Sequence, residues 1–268
     1  MSVSVVIPCF NHGAFLQEAV DSVLASVYKE IEIIIIDDGS NDARTLTVLQ
    51  NYRAKGYKVL THTNAGLAFS RNKGIEAATG EYILPLDADN RIRPDYISKA
   101  VELLDTGCCD IVYSKPYFFG EQVTHRLYTT GAFDISHLLN NNYIDACAVY
   151  RKTVWQATNG YDQNMPYQGM EDWEFWISSY FNNFKFEFID EELFDYRVSA
   201  GSMITAVIND KLEANHQYIF RKHKNNIIGM INRQSVFEKF HQNDQKNYLR
   251  TSVKYLAKFI KHNLIKGS

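Results

Sequence analysis

Cysteine is scarce in this chain of 268 residues, and the four present, Cys9, Cys108, Cys109 and Cys147, make no C-x-x-C pair. Adjacent Cys108 and Cys109 are poorly placed to bond each other. A reduced and mostly buried set is expected, which suits a cytoplasmic protein. Long apolar runs are missing too, since no stretch reaches the ~18 residues of a membrane span. The opening MSVSVVIP has neither the basic region nor the apolar run of a signal peptide. Basic excess is absent: 28 Lys and Arg face 31 Asp and Glu, a net charge of −3 that argues against a nucleic-acid partner. There is no internal repeat, no Gly-x-x-x-x-Gly-Lys-Ser/Thr loop, and no Gly-x-Gly-x-x-Gly after the first strand. A P-loop nucleotidase and a standard dinucleotide dehydrogenase are thereby disfavoured.

What is present is ordinary globular composition, 46% hydrophobic and 22% charged. At this length a core needs neither disulfides nor a structural metal. Up to about residue 90 the pattern alternates strand and helix. Ser2–Ile7 is a β-branched run ending at Pro8, and Phe15, Ala19, Ser22, Val23 and Ser26 then recur at helical spacing. Ile31–Ile36 is nearly continuous isoleucine and reads as a strand buried on both faces. It stops at Asp37-Asp38-Gly39-Ser40, a turn whose Ser40 or following Asn41 can cap the next helix. Val59 and Leu60 suggest a third strand, Gly66–Ala78 a third helix, and Tyr82–Leu86 a fourth strand. This order predicts an α/β fold, a parallel sheet covered by helices.

Beyond Pro94 a helix is expected to about Leu104, then a strand at Ile111–Ser114, a helix over Glu171–Phe181 and a strand at Phe184–Phe188. Residues 115–170 read as irregular. From about residue 208 the chain turns helical and basic. After Asp244 no acidic residue follows, while Lys246, Arg250, Lys254, Lys258, Lys261 and Lys266 are interleaved with Leu249, Val253, Leu256, Phe259, Ile260 and Leu264. This is the pattern of a basic amphipathic helix. Its apolar stripe suits peripheral contact with an anionic membrane surface, packing on the domain, or a homodimer.

In open parallel sheets, ligands gather beyond the carboxyl ends of the strands. Pro8-Cys9-Phe10-Asn11, Asp37-Asp38-Gly39-Ser40 and Asp87-Ala88-Asp89 all fall there. Carboxylates clustered at strand ends repel one another, which points to a cation or ligand that offsets the repulsion. Asp87-x-Asp89 suits a hard divalent cation, Mn²⁺ or Mg²⁺, whose remaining ligands are phosphate oxygens and water.

Five segments in order resemble a family 2 glycosyltransferase of the inverting GT-A type. They are VVIPCFNHGAFLQEAVDSVLAS, IIIIDDGSND, NAGLAFSRNKGIEAATGEYILPLDADN, YDQNMPYQGMEDWEFWISS and YRVSAGSM, and they cover about residues 2–205. The resemblance implies a Rossmann-like, mostly parallel sheet flanked by helices, with a C-terminal helical extension. It implies a GT-A domain at 1–207 (nucleotide half 1–90, acceptor half 91–207) and an extension at 208–268. By the same resemblance, the Pro8–Phe10 backbone frames the base, Asn11 binds the nucleotide and Asp38 accepts the base's imide hydrogen. Arg71 contacts base or phosphate. Asp87 and Ala88 lie at the nucleotide, and Asp89 ligates the metal. Glu171 and Trp173 bind the acceptor, and Asp172 is the general base that takes the acceptor hydroxyl's proton. Because Asp172 opens a helix, it is expected to be ionised at neutral pH. One departure stands out: Ser199 occupies the place where many relatives carry a histidine near metal and diphosphate.

The implied function is metal-dependent, inverting transfer of a single sugar from a nucleotide sugar, UDP-linked, to a glycan, lipid-linked or protein acceptor. The chain lacks the Gln-x-x-Arg-Trp motif of processive synthases. A sugar nucleotidyltransferase and a non-catalytic glycan-binding module are the alternatives. The localisation that follows is the cytoplasm, at or near the inner face of the membrane.

Overall fold

The computed structural model describes residues 1–120, 128–199 and 209–233. The basic stretch Lys246–Lys266 and His125 lie outside the described residues. The chain divides into two compact units, Met1–Ile219 and Phe220–Ser268. The second is described over residues 220–233, which are helical apart from a turn at His223. No helix among the described residues is long and apolar enough to cross a membrane.

The first ninety residues follow the expected alternation. Strand β1 (Val3–Cys9) is buried along its whole length, and β2 (Ile31–Asp37) pairs with it in parallel, with Cys9 opposite Asp37. Helix α1 (Leu16–Leu24) buries Leu16, Ala19, Val20 and Val23, one apolar stripe at helical spacing. Helix α2 (Ala43–Ala54) is capped by Asp42, whose carboxylate accepts from the Thr45 amide at 2.8 Å, rather than by Ser40 or Asn41. Strand β3 (Lys58–Thr61) pairs with β2, helix α3 spans Leu67–Ala77, and β4 (Tyr82–Pro85) returns to the other side of β1. The strand order therefore reverses at β1, the switch point beside which ligands bind in such sheets.

The second half departs from expectation. Residues 115–170 are not irregular throughout. After β5 (Arg91–Ile92) and helix α4 (Tyr96–Asp105), strand β6 runs from Ile111 to Gly120, well past Ser114. Helix α5 (Ile135–Asn140), strand β7 (Val149–Arg151) and helix α6 (Lys152–Thr158) follow. Helix α7 spans Glu171–Phe181 as expected, whereas β8 extends over Phe186–Val198. Helix α8 spans Asn209–Lys222. The eight-stranded sheet has the order β3-β2-β1-β4-β7-β6-β8-β5. Strand β7 is antiparallel to both β4 and β6, while β6 and β8 run parallel. Their register shifts beside Pro116, which has no N–H to give to the ladder.

Cys9, Cys109 and Cys147 are buried, Cys108 is exposed, and all four are free thiols. Helix α3 lies close on β1 and β2 because Gly74 has no side chain: a Cβ there would stand 2.3 Å from Val6 Cγ1 and 3.2 Å from Ile36. Gly74→Val should overpack this contact and lower stability by about 2–3 kcal/mol. The measure is the urea midpoint, and an unchanged midpoint would show that the helix can shift away.

Candidate active site

The turns after β1, β2 and β4 enclose a cavity of about 360 Å³. Pro8, Phe10, Asp38, Asp87, Ala88 and Asp89 line it, so six of the residues singled out in the sequence meet there. Asp38 is 5% exposed and well tied down. Its carboxylate accepts from the amides of Ala65 at 2.7 Å and Gly66 at 3.0 Å, and His62 Nδ1 stands 3.4 Å away. A carboxylate has about four lone-pair directions, so these two amides leave acceptor capacity for a ligand. Asn11 is occupied differently. Its Oδ1 accepts from the amides of Asn41 and Asp42 and its Nδ2 donates to Asn41, joining the first two turns rather than facing the cavity. Asp37 is likewise structural, accepting from the Ser40 amide at 2.9 Å.

Arg71 is not at the surface of α3. It is 2% exposed and reaches two carboxylates, Glu171 Oε1 at 2.6 Å and Asp87 Oδ1 at 2.8 Å. Glu171 is 3% exposed, and its other oxygen accepts from the Gly169 amide at 2.9 Å. Both its oxygens are thus engaged. The two carboxylates hold the Arg71 guanidinium well above its usual pKa, against the effect of burial.

Beside this bridge opens a larger cleft of about 670 Å³, lined in part by Asp87, Asn142, Asp145, Glu171 and Asp172. Asp172 Oδ2 accepts from Asn142 Nδ2 at 3.1 Å. Removal from water raises its carboxyl to about 8, and Glu171 and Asp145 push in the same direction against the pull of Arg71. Removal from water among like charges thus works against the helix-end argument for an ionised Asp172. Asp145, which sequence reading missed, is raised to about 6 chiefly by burial and then by Asp87. It accepts from the Cys147 amide at 2.8 Å and from the Tyr128 hydroxyl at 3.1 Å. Trp173 borders the cleft, yet it is 1% exposed and its indole N–H donates to the Leu138 carbonyl at 2.6 Å.

Burial and the nearby Asp87 raise the Asp89 carboxyl, which His12 and Arg197 partly oppose. His12 and Ser199 share the smaller cavity with it. Among the described residues no three His, Cys, Asp or Glu side chains gather to hold a metal unaided. The donor set fits a hard cation held by one carboxylate, with its other positions left to phosphate and water. Arg197 is committed elsewhere, donating to the Asp89 carbonyl at 2.9 Å and to Glu18 at 2.7 Å.

A sheet that reverses at β1 and carries acidic turns at that edge is the architecture of the GT-A glycosyltransferases. S. aureus TarS 1–349 in complex with UDP-GlcNAc matches it at a TM-score of 0.65, with 22% identity over 80% of this chain and 64% of that one. The complex of the same protein with UDP matches at 0.60, with 25% identity over 74% and 61%. A mannosyltransferase from Pyrobaculum calidifontis, in complex with GDP-Man and Mn²⁺, matches at 0.57, with 16% identity over 75% and 58%. The chain belongs to glycosyl transferase family 2, whose profile matches residues 4–179. An uncharacterised glycosyltransferase of Rickettsia prowazekii is 30% identical over 217 residues, 76% of this chain and 64% of that protein. Another from Nostoc sp. is 38% identical over 108 residues, 40% of this chain and 34% of that protein. The chain thus spans less than two thirds of the length of these relatives.

Removing one partner of a buried ion pair leaves the other charge stranded, at a cost of about 3–5 kcal/mol. Arg71→Met should destabilise by that order, read from the denaturant midpoint. Arg71→Met combined with Glu171→Leu should lose much less, because no unpaired Glu171 carboxylate remains. Equal losses in the single and double variants would mean that the bridge is not what holds this region.

Proposed function

We propose that the chain transfers a single sugar, with inversion, from a uridine diphosphate sugar to a hydroxyl of a glycan, lipid-linked or protein acceptor. The observation that carries this reading is the wall common to the two cavities: Leu67, Asp87 and Tyr196 line both. A donor in the smaller cavity presents its sugar to the cleft onto which Asp172 opens. The nucleotides in the TarS and Pyrobaculum complexes support a nucleotide-sugar donor.

In this reading the Pro8 and Phe10 backbone frames the base, and the Asp38 carboxylate takes the uracil imide hydrogen. Asp87 and Ala88 lie at the ribose and diphosphate. Asp89 is the residue that would hold Mn²⁺ or Mg²⁺, which when bound offsets diphosphate charge. The acceptor enters the larger cleft. Its hydroxyl oxygen bonds to the anomeric carbon as the bond from that carbon to the diphosphate oxygen breaks. Asp172 takes the hydroxyl proton, and the transition state has oxocarbenium character. A general base works best when its pKa lies near the working pH, and burial gives Asp172 that property. Glu171 is reassigned in the proposal: paired with Arg71, it shapes the site instead of binding the acceptor. Trp173 serves the same structural end.

Single-turnover transfer should rise with pH up to about 8 as Asp172 loses its proton. Asp172→Asn should remove that limb and lower the rate by roughly 10²–10⁴. Undiminished transfer in the folded variant would move the base elsewhere, and transfer that never occurs with any donor would favour a binding module or a nucleotidyltransferase. In calorimetry, Asp38→Asn should weaken UDP by about 1.5–3 kcal/mol. Mn²⁺ should bind tightly only together with UDP. Tight Mn²⁺ binding to the protein alone, or unchanged UDP affinity in Asp38→Asn, would contradict the assignment.

A further inference from the structure

We infer that Asn142 is a positioning residue for Asp172, presented to it by two tryptophans. This rests on the reading of Asp172 as the base. The tryptophans stand three residues apart on α7, Trp173 and Trp176, and both indoles are buried. The Trp173 indole N–H donates to the Leu138 carbonyl at 2.6 Å, and that of Trp176 to the Ile144 carbonyl at 3.0 Å. These two carbonyls lie on either side of Asn142 in the chain. Helix α7 therefore carries the base and also clamps, one turn on, the segment that supplies the base's partner.

The residues flanking Asn142 are held as well. The Asn141 amide donates to the His137 carbonyl at 2.9 Å, and the Tyr143 carbonyl accepts from Thr130 Oγ1 at 3.0 Å. The Tyr143 ring stacks on His137 with centroids 4.4 Å apart. So fixed, Asn142 brings Nδ2 to 3.1 Å from Asp172 Oδ2. Against an ionised Asp172 the amide nitrogen must take that side, since only N–H can donate to a carboxylate. The contact favours the ionised form of Asp172. It thereby opposes burial and the negative charges of Glu171 and Asp145, alongside Arg71. Tyr128 and Tyr161 also feel the charge of Asp172, and His137, His216 and Asp87 line the same cleft.

Among the described residues, Asn142 Oδ1 accepts no hydrogen bond. Asn142→Asp therefore keeps shape and the Oδ1 acceptor, replaces the donor to Asp172 by a second oxygen, and adds a like charge beside it. The experiment follows the carboxylic acid stretch of Asp172 by infrared difference against Asp172→Asn, as a function of pH, on the full chain without ligand. In Asn142→Asp the midpoint should move up by about one unit or more, the size of shift a neighbouring like charge produces. Hydrolysis of UDP-N-acetylglucosamine, UDP-glucose and UDP-galactose should lose rate about tenfold per unit near neutrality. It should recover at alkaline pH, with the limb displaced as the infrared midpoint is.

An unmoved infrared midpoint would overturn the proposal. So would a moved midpoint with an unmoved limb, or a rate loss equal at every pH. Should Asn142→Asp not fold, Asn142→Leu removes the donor and predicts the same direction. The reading of Asp172 as base fails separately, if Asp172→Asn retains full hydrolysis, because the infrared titration reports the contact whether or not Asp172 is the base.

Discussion

A single buried guanidinium fixes the geometry of both cavities. Arg71 projects from α3, which packs on β1 and β2, and its two nitrogens bind carboxylates from opposite halves of the chain. Asp87 follows β4 at the nucleotide edge, and Glu171 begins the helix that carries Asp172. Three charges in so little space cost several kcal/mol of hydration, which the two short bonds and the Gly169 amide offset. What the arrangement yields is registry. The acidic turn and α7 cannot drift apart without stranding a charge in the interior.

The same economy of partners recurs on α7. Its aromatic face is core, as Phe175 and Trp176 illustrate by being wholly buried. Yet the two indole N–H groups must find acceptors once buried, and they find them on the segment 138–144. Burial of an amphipathic side chain thus becomes a device for placing a loop. A binding surface built on such a loop keeps its shape without regular structure of its own.

The first half of the fold was legible because its signals are local. β-Branched runs, acidic turns and helical spacing each occupy a few adjacent residues, and β1 to β4 lie close to where those signals put them. The second half is assembled by distant pairing. Strand β7 has three residues and no period to read, and β6 and β8 owe their length to each other across 75 residues at their first paired positions, Ile111 and Phe186. In the site, the strand-end carboxylates were legible for the same local reason. The burial of Arg71 was not: α3 buries Ser70, Arg71, Gly74 and Ile75, a face with only one large apolar member. Nor was the raised carboxyl of Asp172, since the helix end speaks for its charge while removal from water, Glu171 and the distant Asp145 speak against it.

The distribution of thiols bears on how the molecule can be handled. Cys9 lies in the wall of the smaller cavity, and burial lifts its thiol to about 12. Burial also raises Cys147 well above the usual thiol value, and Cys109 to about 11. Nucleophilic attack needs the thiolate, so burial and the raised thiols both disfavour alkylation of these three while the fold is intact. Cys108, exposed in the turn between α4 and β6, is the one exposed thiol. The chain therefore carries a native attachment point for a single fluorophore or spin label, away from both cavities.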